Sequence, residues 1–152
     1  MILRDSFEIE APVEAVWAFL LDIPRVSTCV PGAEAVAEVG PDIYRGKLKA
    51  RVGAVKAVFD GEARIEEKVA PERLSASFKA EDRKLVSIVT GSFVARLTPL
   101  EHGTQLDYEM EIAIRGRLGT IGYTVVQQTA KKMSAAFIEC VAGALARLDP
   151  GS

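Results

Sequence analysis

Hydrophobic and polar residues alternate at the start of the chain, a pattern that predicts a strand with one buried face. The odd positions from Leu3 to Ile9 lie on that face. Pro12 then opens a helix in which Val16 and Trp17 share one apolar side, so we expect Trp17 to belong to the core. A second, shorter helical turn is predicted to follow and to end before Pro31-Gly32.

The middle of the chain also alternates, with a change of parity at each turn, which predicts consecutive antiparallel strands. Across the turn at Val52-Gly53-Ala54-Val55, Leu48 is expected opposite Phe59 on the inner face, and Lys47 opposite Asp60 outside. The other inner pairs expected from this reasoning are Ile65 with Phe78, Phe78 with Val89, Ala76 with Gly91, Leu74 with Phe93, Phe93 with Met110, Ala95 with Tyr108 and Leu97 with Leu106. The strands therefore form one meander with one buried face.

From Ile121 to Leu148 the apolar residues recur at helical spacing, which predicts a long C-terminal helix. We therefore predict an α+β fold: a curved antiparallel sheet of about seven strands wraps around this helix, and two short helices follow the first strand. No repeat or linker interrupts the pattern. Residues 1–148 are expected to form a single domain, and residues 149–152 a frayed tail.

The inner face of the predicted meander is unusually rich in Gly and Ala, whereas a sheet packed on a helix normally carries branched and aromatic residues there. The small residues either let the helix approach closely, mark bends in the sheet, or leave an apolar cavity suited to a lipid or quinone. The residues expected to line such a cavity are Tyr44, Phe59, Phe78, Phe93, Tyr108, Met110, Val125, Met133 and Phe137. Its entrance is expected at Val30, Pro31 and Gly32, near the start of the last helix.

The composition excludes several classes of partner. The chain has 19 basic and 21 acidic residues, a net charge of −2, and no basic block, so nucleic-acid binding is not expected. No apolar run reaches the length of a spanning helix, and the charged N-terminus does not resemble a signal peptide. These features favour a cytoplasmic protein.

Cys29 and Cys140 are the only cysteines, and because each lies beside apolar residues, both are expected to be buried and reduced. His102, the only histidine, is predicted to lie in a solvated turn. With one His and no Cys-x-x-Cys, no metal site is expected, and the usual nucleotide-binding and serine-hydrolase motifs are missing. We expect neither a cofactor nor a catalytic residue.

Nearly the whole chain resembles one known family. The matching motifs are Phe7, Ala11-Pro12, Val16-Trp17, Leu21-Asp22, Val30-Pro31-Gly32-Ala33-Glu34, Tyr44-Arg45-Gly46, Val52-Gly53, Phe59-Asp60-Gly61, Thr104-Gln105-Leu106-Asp107-Tyr108, Gly116-Arg117-Leu118 and Gly122. On these motifs the sequence resembles the family of the carbon monoxide dehydrogenase G subunit, within the START-like (helix-grip, SRPBCC) superfamily. The Pro-Gly-Ala-Glu element and the Gly-Arg-Leu before the last helix are the most family-specific of them.

The resemblance implies that the cavity binds a small hydrophobic molecule, quinone-like or lipid-like. It also implies that the protein serves a carbon monoxide dehydrogenase or a related molybdenum hydroxylase as an accessory protein, in membrane recruitment or quinone handling. Longer members carry a membrane-binding tail after the last helix, whereas this chain ends at Ser152. We therefore expect transient membrane association without a stable anchor.

Two other functions stay open. START-like relatives include cyclases and hydrolases, but catalysis would need an inward acid or base, and Asp5 is the only carboxylate on the inward parity of a predicted strand. A ligand-free assembly or recruitment factor would use the basic outer face of residues 45–51 to meet an acidic partner. The predicted pairing places that face against Asp60 and Glu62, which is typical of solvated cross-strand ion pairs.

Overall fold

Seven antiparallel strands form one sheet in the computed structural model, which describes residues 1–148. The strands are β1 (Ile2–Ile9), β2 (Ala33–Gly40), β3 (Ile43–Val52), β4 (Val55–Val69), β5 (Arg73–Asp82), β6 (Ser87–Leu100) and β7 (Gly103–Gly116), and the sheet order is β1-β7-β6-β5-β4-β3-β2. The helices are α1 (Val13–Leu21), α2 (Ile23–Val26) and α3 (Tyr123–Leu148), with 3-10 turns at Ser27–Cys29 and Arg117–Thr120. This is the predicted helix-grip architecture. The predicted tail, residues 149–152, lies outside the described residues.

The observed strand registers match the predicted registers at two hairpins and differ from them at the other two. Leu48 lies opposite Phe59 in the β3–β4 pair, and Phe93 opposite Met110 in the β6–β7 pair, as predicted. The β4–β5 and β5–β6 predictions were wrong by two residues, because Phe78 pairs with Ala63 and Gly91.

In the β4–β5 pair the turn, which sets Val69 opposite Arg73, accounts for one residue of the difference and a bulge after Ile65 for the other; in the β5–β6 pair the cause is a late turn. The β4–β5 register shifts between Ile65 and Glu67, and β5 runs on to Asp82 before the chain turns. The Asp82 carboxylate fixes that turn by accepting the Leu85 N–H at 3.1 Å. A shift of two residues preserves the face of every side chain, so the predicted inner face is correct although the pairs are not.

The sheet curves strongly around the start of α3. β1 and β3 are five strand spacings apart in the sheet, about 24 Å if it were flat. Within three residues of α3, however, the Tyr123 hydroxyl lies 3.5 Å from the Ile2 carbonyl oxygen of β1, and Val125 packs against Gly53 at the β3–β4 turn. One helix can reach both strands only because the sheet bends around it.

The core is divided into two apolar clusters, one toward each end of α3. The first joins β1, α1 and the C-terminal half of α3 and contains Ile9, Val16 and Val141, all at most 2% exposed. Trp17, 9% exposed, belongs to it, which confirms its predicted place in the core. The second cluster is built on Ala57, Phe59 and Leu118.

Cys29 and Cys140 form a disulfide, so the prediction that both are reduced was wrong. The residues are 111 positions apart in sequence, but the packing of α3 on the 3-10 turn after α2 brings their Cα atoms to 5.3 Å. That separation suits a disulfide. Disulfides are rare in the cytosol and frequent in oxidising compartments, so this bond is not typical of the cytoplasmic location expected from the sequence. His102 lies in the exposed β6–β7 turn, as predicted.

Candidate ligand cavity

Between the two apolar clusters, the inner face of the sheet carries large apolar side chains that are only half-buried. Phe78, Phe93 and Met110 on β5, β6 and β7 are of this kind, and Met133 on α3 is half-buried too. None of these four is a buried member of either cluster. The middle of the sheet–helix interface is therefore less tightly filled than its two ends.

The backbone of α3 approaches the sheet chiefly at its margins. Its Cα atoms come within 8 Å of strand residues mainly at β1 and β3. A polar side-chain link reaches β7, the strand beside β1: the Tyr108 hydroxyl lies 2.7 Å from the Ser134 Oγ of α3. A buried tyrosine hydroxyl normally needs a partner of this kind, and this one fixes the spacing between helix and sheet.

Three aromatic rings line up along the inner face beside this link. The Tyr108 ring is stacked between Phe93, at a centroid distance of 5.9 Å, and Phe7, at 6.3 Å. The three residues come from β7, β6 and β1, and the inward parity of their strands sets them side by side. The three rings form one apolar row on the inner face.

Two of the small inner-face residues leave room for side chains of neighbouring strands, a role that the alternation pattern does not indicate. Gly91 lies opposite Phe78, and a Cβ at Gly91 would be 2.6 Å from the Phe78 Cζ, so the ring lies over the glycine. A Cβ at Gly46 would similarly be 2.9 Å from a methyl of Val36. These glycines accommodate side chains from neighbouring strands, whereas a Cβ at Gly61 would meet only ordinary contacts.

The remaining predicted lining residues are spread over both ends of the interface. Phe59 is 6% exposed and packs in the second cluster, and Val125 is half-buried at the same end. Phe137 packs against the first cluster. Tyr44 lies near the β2 edge opposite Glu38, and burial, followed by the Glu38 carboxylate, raises the pKa of this phenol above its usual 10.

The segment predicted to form the entrance is hydrogen-bonded to β3. Val30 and Pro31 are half-buried, and Gly32 is exposed with a positive φ of 80°. The Lys49 N–H donates to the Gly32 carbonyl oxygen at 2.9 Å, and a Cβ at Gly32 would collide with the Lys49 carbonyl group. Only glycine can make so close an approach in this conformation. The disulfide at Cys29 restrains the same segment against α3.

Two concavities lie mostly outside this interface, and Tyr108 is the one predicted lining residue that borders either of them. One, of about 420 Å³, is lined mainly by outer-face residues of β1, β6 and β7, among them Arg4 and Arg96. The other, of about 610 Å³, lies between α1 and the C-terminal part of α3, beside Phe19 and Leu145. Neither is lined by Phe78, Phe93 or residues 125–137, so neither is the predicted cavity, which stays a prediction.

Sequence reasoning missed two residues that shape this region. Ser134 immediately follows Met133, and the need of the Tyr108 hydroxyl for a partner is the signal that could have identified it. Asp82 is 4% exposed, and its two oxygens accept the Val58 N–H at 2.8 Å and the Leu85 N–H at 3.1 Å. The bond from Val58 is the main cause of the lowered pKa of Asp82.

The carboxylate that the sequence places on the inner face is hydrogen-bonded to its own backbone neighbour. The inward Asp5 lies opposite Tyr108, and its Oδ1 accepts the N–H of Ser6 at 2.9 Å. Within residues 1–148, no three His, Cys, Asp or Glu side chains are grouped to hold a metal ion. Over the same residues, no helix is both long and apolar enough to span a bilayer.

Comparison with solved structures identifies the fold. A conserved protein from Geobacillus kaustophilus is 25% identical, with a TM-score of 0.90 over 97% of this chain and 96% of that one. A START superfamily protein from Mycobacterium smegmatis is 11% identical, with a TM-score of 0.72 over 97% and 98% of the two chains. The ZhuI aromatase/cyclase from Streptomyces sp. R1128 is 18% identical, with a TM-score of 0.67 over 97% and 94%. The last two likenesses show a shared START-like fold.

Among curated proteins, none matches this chain. The family of the carbon monoxide dehydrogenase G subunit (CoxG) matches it over residues 6–146, from β1 almost to the end of α3. The match includes both apolar clusters, the disulfide and the sheet–helix interface between them. The chain therefore belongs to the CoxG family of carbon monoxide dehydrogenase subunits.

Proposed function

We propose that the protein binds and carries a small, neutral, mainly apolar molecule of the quinone or lipid type between α3 and the sheet. The observation that carries the proposal is the band of half-buried aromatic and methionine side chains between two fully packed clusters. Apolar surface left partly open to water gains about 25 cal/mol for each Å² that a ligand covers. The rings of Phe93 and Tyr108 add apolar aromatic surface to the inner face.

The charge of the region favours a neutral ligand. The predicted lining contains no Lys or Arg, and its nearest inward carboxylate is Asp5, which would repel an anion. Burying an unpaired carboxylate headgroup there would be costly. A quinone carbonyl needs only one hydrogen-bond donor, and the Tyr108–Ser134 pair supplies hydroxyl groups between β7 and α3, beside the first cluster.

The family membership supports an accessory role for this carrier. We propose that the protein serves a carbon monoxide dehydrogenase or a related molybdenum hydroxylase by presenting the bound molecule to it. The chemistry of the dehydrogenase belongs to that enzyme, and the carrier needs no catalytic residue for this role. A cyclase-type activity is not favoured, because Asp5 is the one inward carboxylate of β1 and already accepts a backbone N–H.

Calorimetric titration with a short-chain menaquinone analogue and with a fatty acid of similar carbon number tests the proposal. We expect saturable binding of the quinone and weaker binding of the fatty acid. Preference for the fatty acid, or binding of neither, would overturn it.

A matched pair of variants locates the binding. Ala63 lies on the inner face opposite Phe78, so Ala63→Leu fills the proposed space. Thr90 is exposed on the outer face of β6, so Thr90→Leu adds the same apolar side chain outside it. We expect Ala63→Leu to weaken quinone binding by about tenfold or more and Thr90→Leu to leave it unchanged. Equal affinities of the two folded variants would place the ligand elsewhere.

A further inference from the structure

The two cysteines of the chain form a disulfide that joins the predicted ligand entrance to the long helix. Cys29 lies in the 3-10 turn after α2, and Cys140 lies in the C-terminal half of α3. Residues 23–32, called the 23–32 segment, run from α2 through this turn to Gly32 and include the predicted entrance. The disulfide is therefore a covalent link between this segment and the helix against which the proposed ligand lies.

The hydrogen bonds of the 23–32 segment are mostly local. The Thr28 hydroxyl donates to the Arg25 carbonyl oxygen at 2.6 Å, and the neighbouring bonds also join residues at most four positions apart. One long-range bond, from the Lys49 N–H to the Gly32 carbonyl oxygen at 2.9 Å, joins the end of the segment to β3. Within the described part of the chain, no hydrogen bond joins the segment to α3.

Apart from the disulfide, apolar packing holds the 23–32 segment to α3. Val26 and Cys29 are the two buried residues of the segment, at 9% and 4% exposure, and both belong to the first apolar cluster with Val141 of α3. Every residue of α3 from Tyr123 to Cys140 is exposed or half-buried, so Cys140 lies where the tightly packed part of this helix begins. Because so little apolar surface opposes it, the segment would open locally from α3 if the covalent bond were broken.

The size of the domain indicates that the bond is not needed to make a core. Disulfides are typical of small secreted domains that cannot bury enough apolar surface, whereas this chain of 152 residues builds two apolar clusters. In the cytoplasmic location that the sequence favours, disulfides are usually transient and serve catalysis or redox sensing. The position of this one, on a locally bonded segment at the predicted entrance, favours a regulatory role.

We propose that Cys29–Cys140 is a site of thiol–disulfide exchange, and that its redox state sets how readily the 23–32 segment opens from α3. The reductant is a dithiol. Cys140 is half-buried and Cys29 is only 4% exposed, so access favours attack on the Cys140 sulfur. The disulfide holds the segment on α3, and the two thiols leave it free to open.

The exchange transfers two electrons and two protons from the dithiol to the protein. One thiol of the dithiol loses its proton, bonds to the Cys140 sulfur and breaks the protein's S–S bond, and the released Cys29 takes up a proton. The second thiol then attacks the mixed disulfide, forms the dithiol's own disulfide and releases Cys140, which takes up the second proton. A disulfide reagent such as oxidised glutathione reverses the reaction.

The consequence for the ligand rests on the proposed function. In the oxidised protein the closed segment slows both the entry and the exit of a molecule between α3 and the sheet. In the reduced protein the segment opens and both steps become faster. Because both rates rise, the dissociation constant changes less than either rate.

Thiol titration and hydrogen exchange, both without ligand, test the proposal on the full chain. Dithiothreitol under native conditions should yield two titratable thiols, and oxidised glutathione should remove them again. At short exchange times the amides of residues 25–30 should exchange faster by about tenfold or more in the reduced protein, while those at the centre of β6 and β7 stay protected. A bond that is reduced only in denaturant, unchanged exchange at residues 25–30, or equal acceleration in β6 and β7 would overturn the proposal.

A matched pair of variants assigns the effect to the bond. Cys140→Ser removes the disulfide and leaves the buried Cys29 in place, so the 23–32 segment should exchange as in the reduced wild type, with no further effect of dithiothreitol. Ala144, one turn further along α3, is half-buried and packs against the same cluster, so Ala144→Ser adds a hydroxyl with the disulfide intact. This control should exchange as the oxidised wild type does. Equal acceleration in both variants would show that the lost bond is not the cause.

The dissociation rate of the menaquinone analogue, measured by stopped flow, tests the consequence for the ligand. We expect it to rise by about tenfold in the reduced protein and in Cys140→Ser, but not in Ala144→Ser. Equal rates in proteins whose segment is open would show that the ligand does not pass this segment. If calorimetry detects no binding at all, the proposed function fails, and hydrogen exchange still decides whether the bond controls the segment.

Discussion

Gly91 and Gly61 lie on the same inner face, but the structure predicts opposite effects of an added methyl group. A Cβ at Gly91 would collide with the Glu111 carbonyl oxygen and lie 2.6 Å from the Phe78 Cζ. The carbonyl belongs to the adjacent β7 backbone, so it can yield only if β6 and β7 separate. We expect Gly91→Ala to lower the free energy of unfolding by about 1 to 3 kcal/mol.

Gly61→Ala is the matched control. Its Cβ would have nearest neighbours at 3.7 and 3.8 Å, which is ordinary packing distance. The loss of backbone freedom in the unfolded chain then raises stability by about 0.4 to 1 kcal/mol. The two variants should therefore differ by about 1.5 to 4 kcal/mol in urea denaturation followed by circular dichroism. Equal stability would show that the Phe78 ring does not lie over Gly91.

Three further predictions concern the core, the disulfide and the turn beside β6. Trp17→Ala should lower the free energy of unfolding by about 3 to 5 kcal/mol, measured by urea denaturation, and an unchanged stability would remove Trp17 from the core. The oxidised protein should have a mass two hydrogens lower than the reduced protein. Cys29→Ser with Cys140→Ser should lower the free energy of unfolding by about 2 to 4 kcal/mol. Free thiols on titration under non-reducing conditions would contradict the disulfide. Because the folded-state pKa of Asp82 is lowered, its ionised form stabilises the protein above the unfolded pKa near 4, and this contribution is lost as the pH falls below it. Asp82→Asn should flatten that part of the pH–stability profile, and a variant with the wild-type profile would show that Asp82 is not the group responsible.

The architecture could be predicted from the sequence because the parity of a strand fixes its face. Leu48 opposite Phe59 and Phe93 opposite Met110 follow from short, well-marked turns, and both pairs are found. The β5 registers could not be predicted, since a bulge after Ile65 and the capping of a turn by Asp82 leave no periodic signal. In each case the face was right and the partner was wrong.

The candidate site was harder to predict, because it depends on distances between elements. The disulfide was missed because 111 residues separate the two cysteines, and only the packing of α3 on the turn after α2 brings them together. The inner glycines suggested empty space, whereas Gly91 in fact underlies the Phe78 ring. Which inward side chains stay half-buried is decided by how far α3 stands from the sheet, and alternation of polarity carries no information about that distance.

Methyl NMR of protein labelled at the methionine ε-carbon tests most directly whether a ligand binds between α3 and the sheet. The chain has three methionines: Met110 on β7, Met133 on α3, and Met1, which is 38% exposed at the chain start and serves as the reference. Met110→Leu and Met133→Leu assign the signals. On titration with the menaquinone analogue, the Met110 and Met133 signals should move together and saturate at one concentration while Met1 stays in place. If both inner signals stay unmoved while calorimetry records binding, or if only Met1 moves, the molecule binds outside the sheet–helix interface.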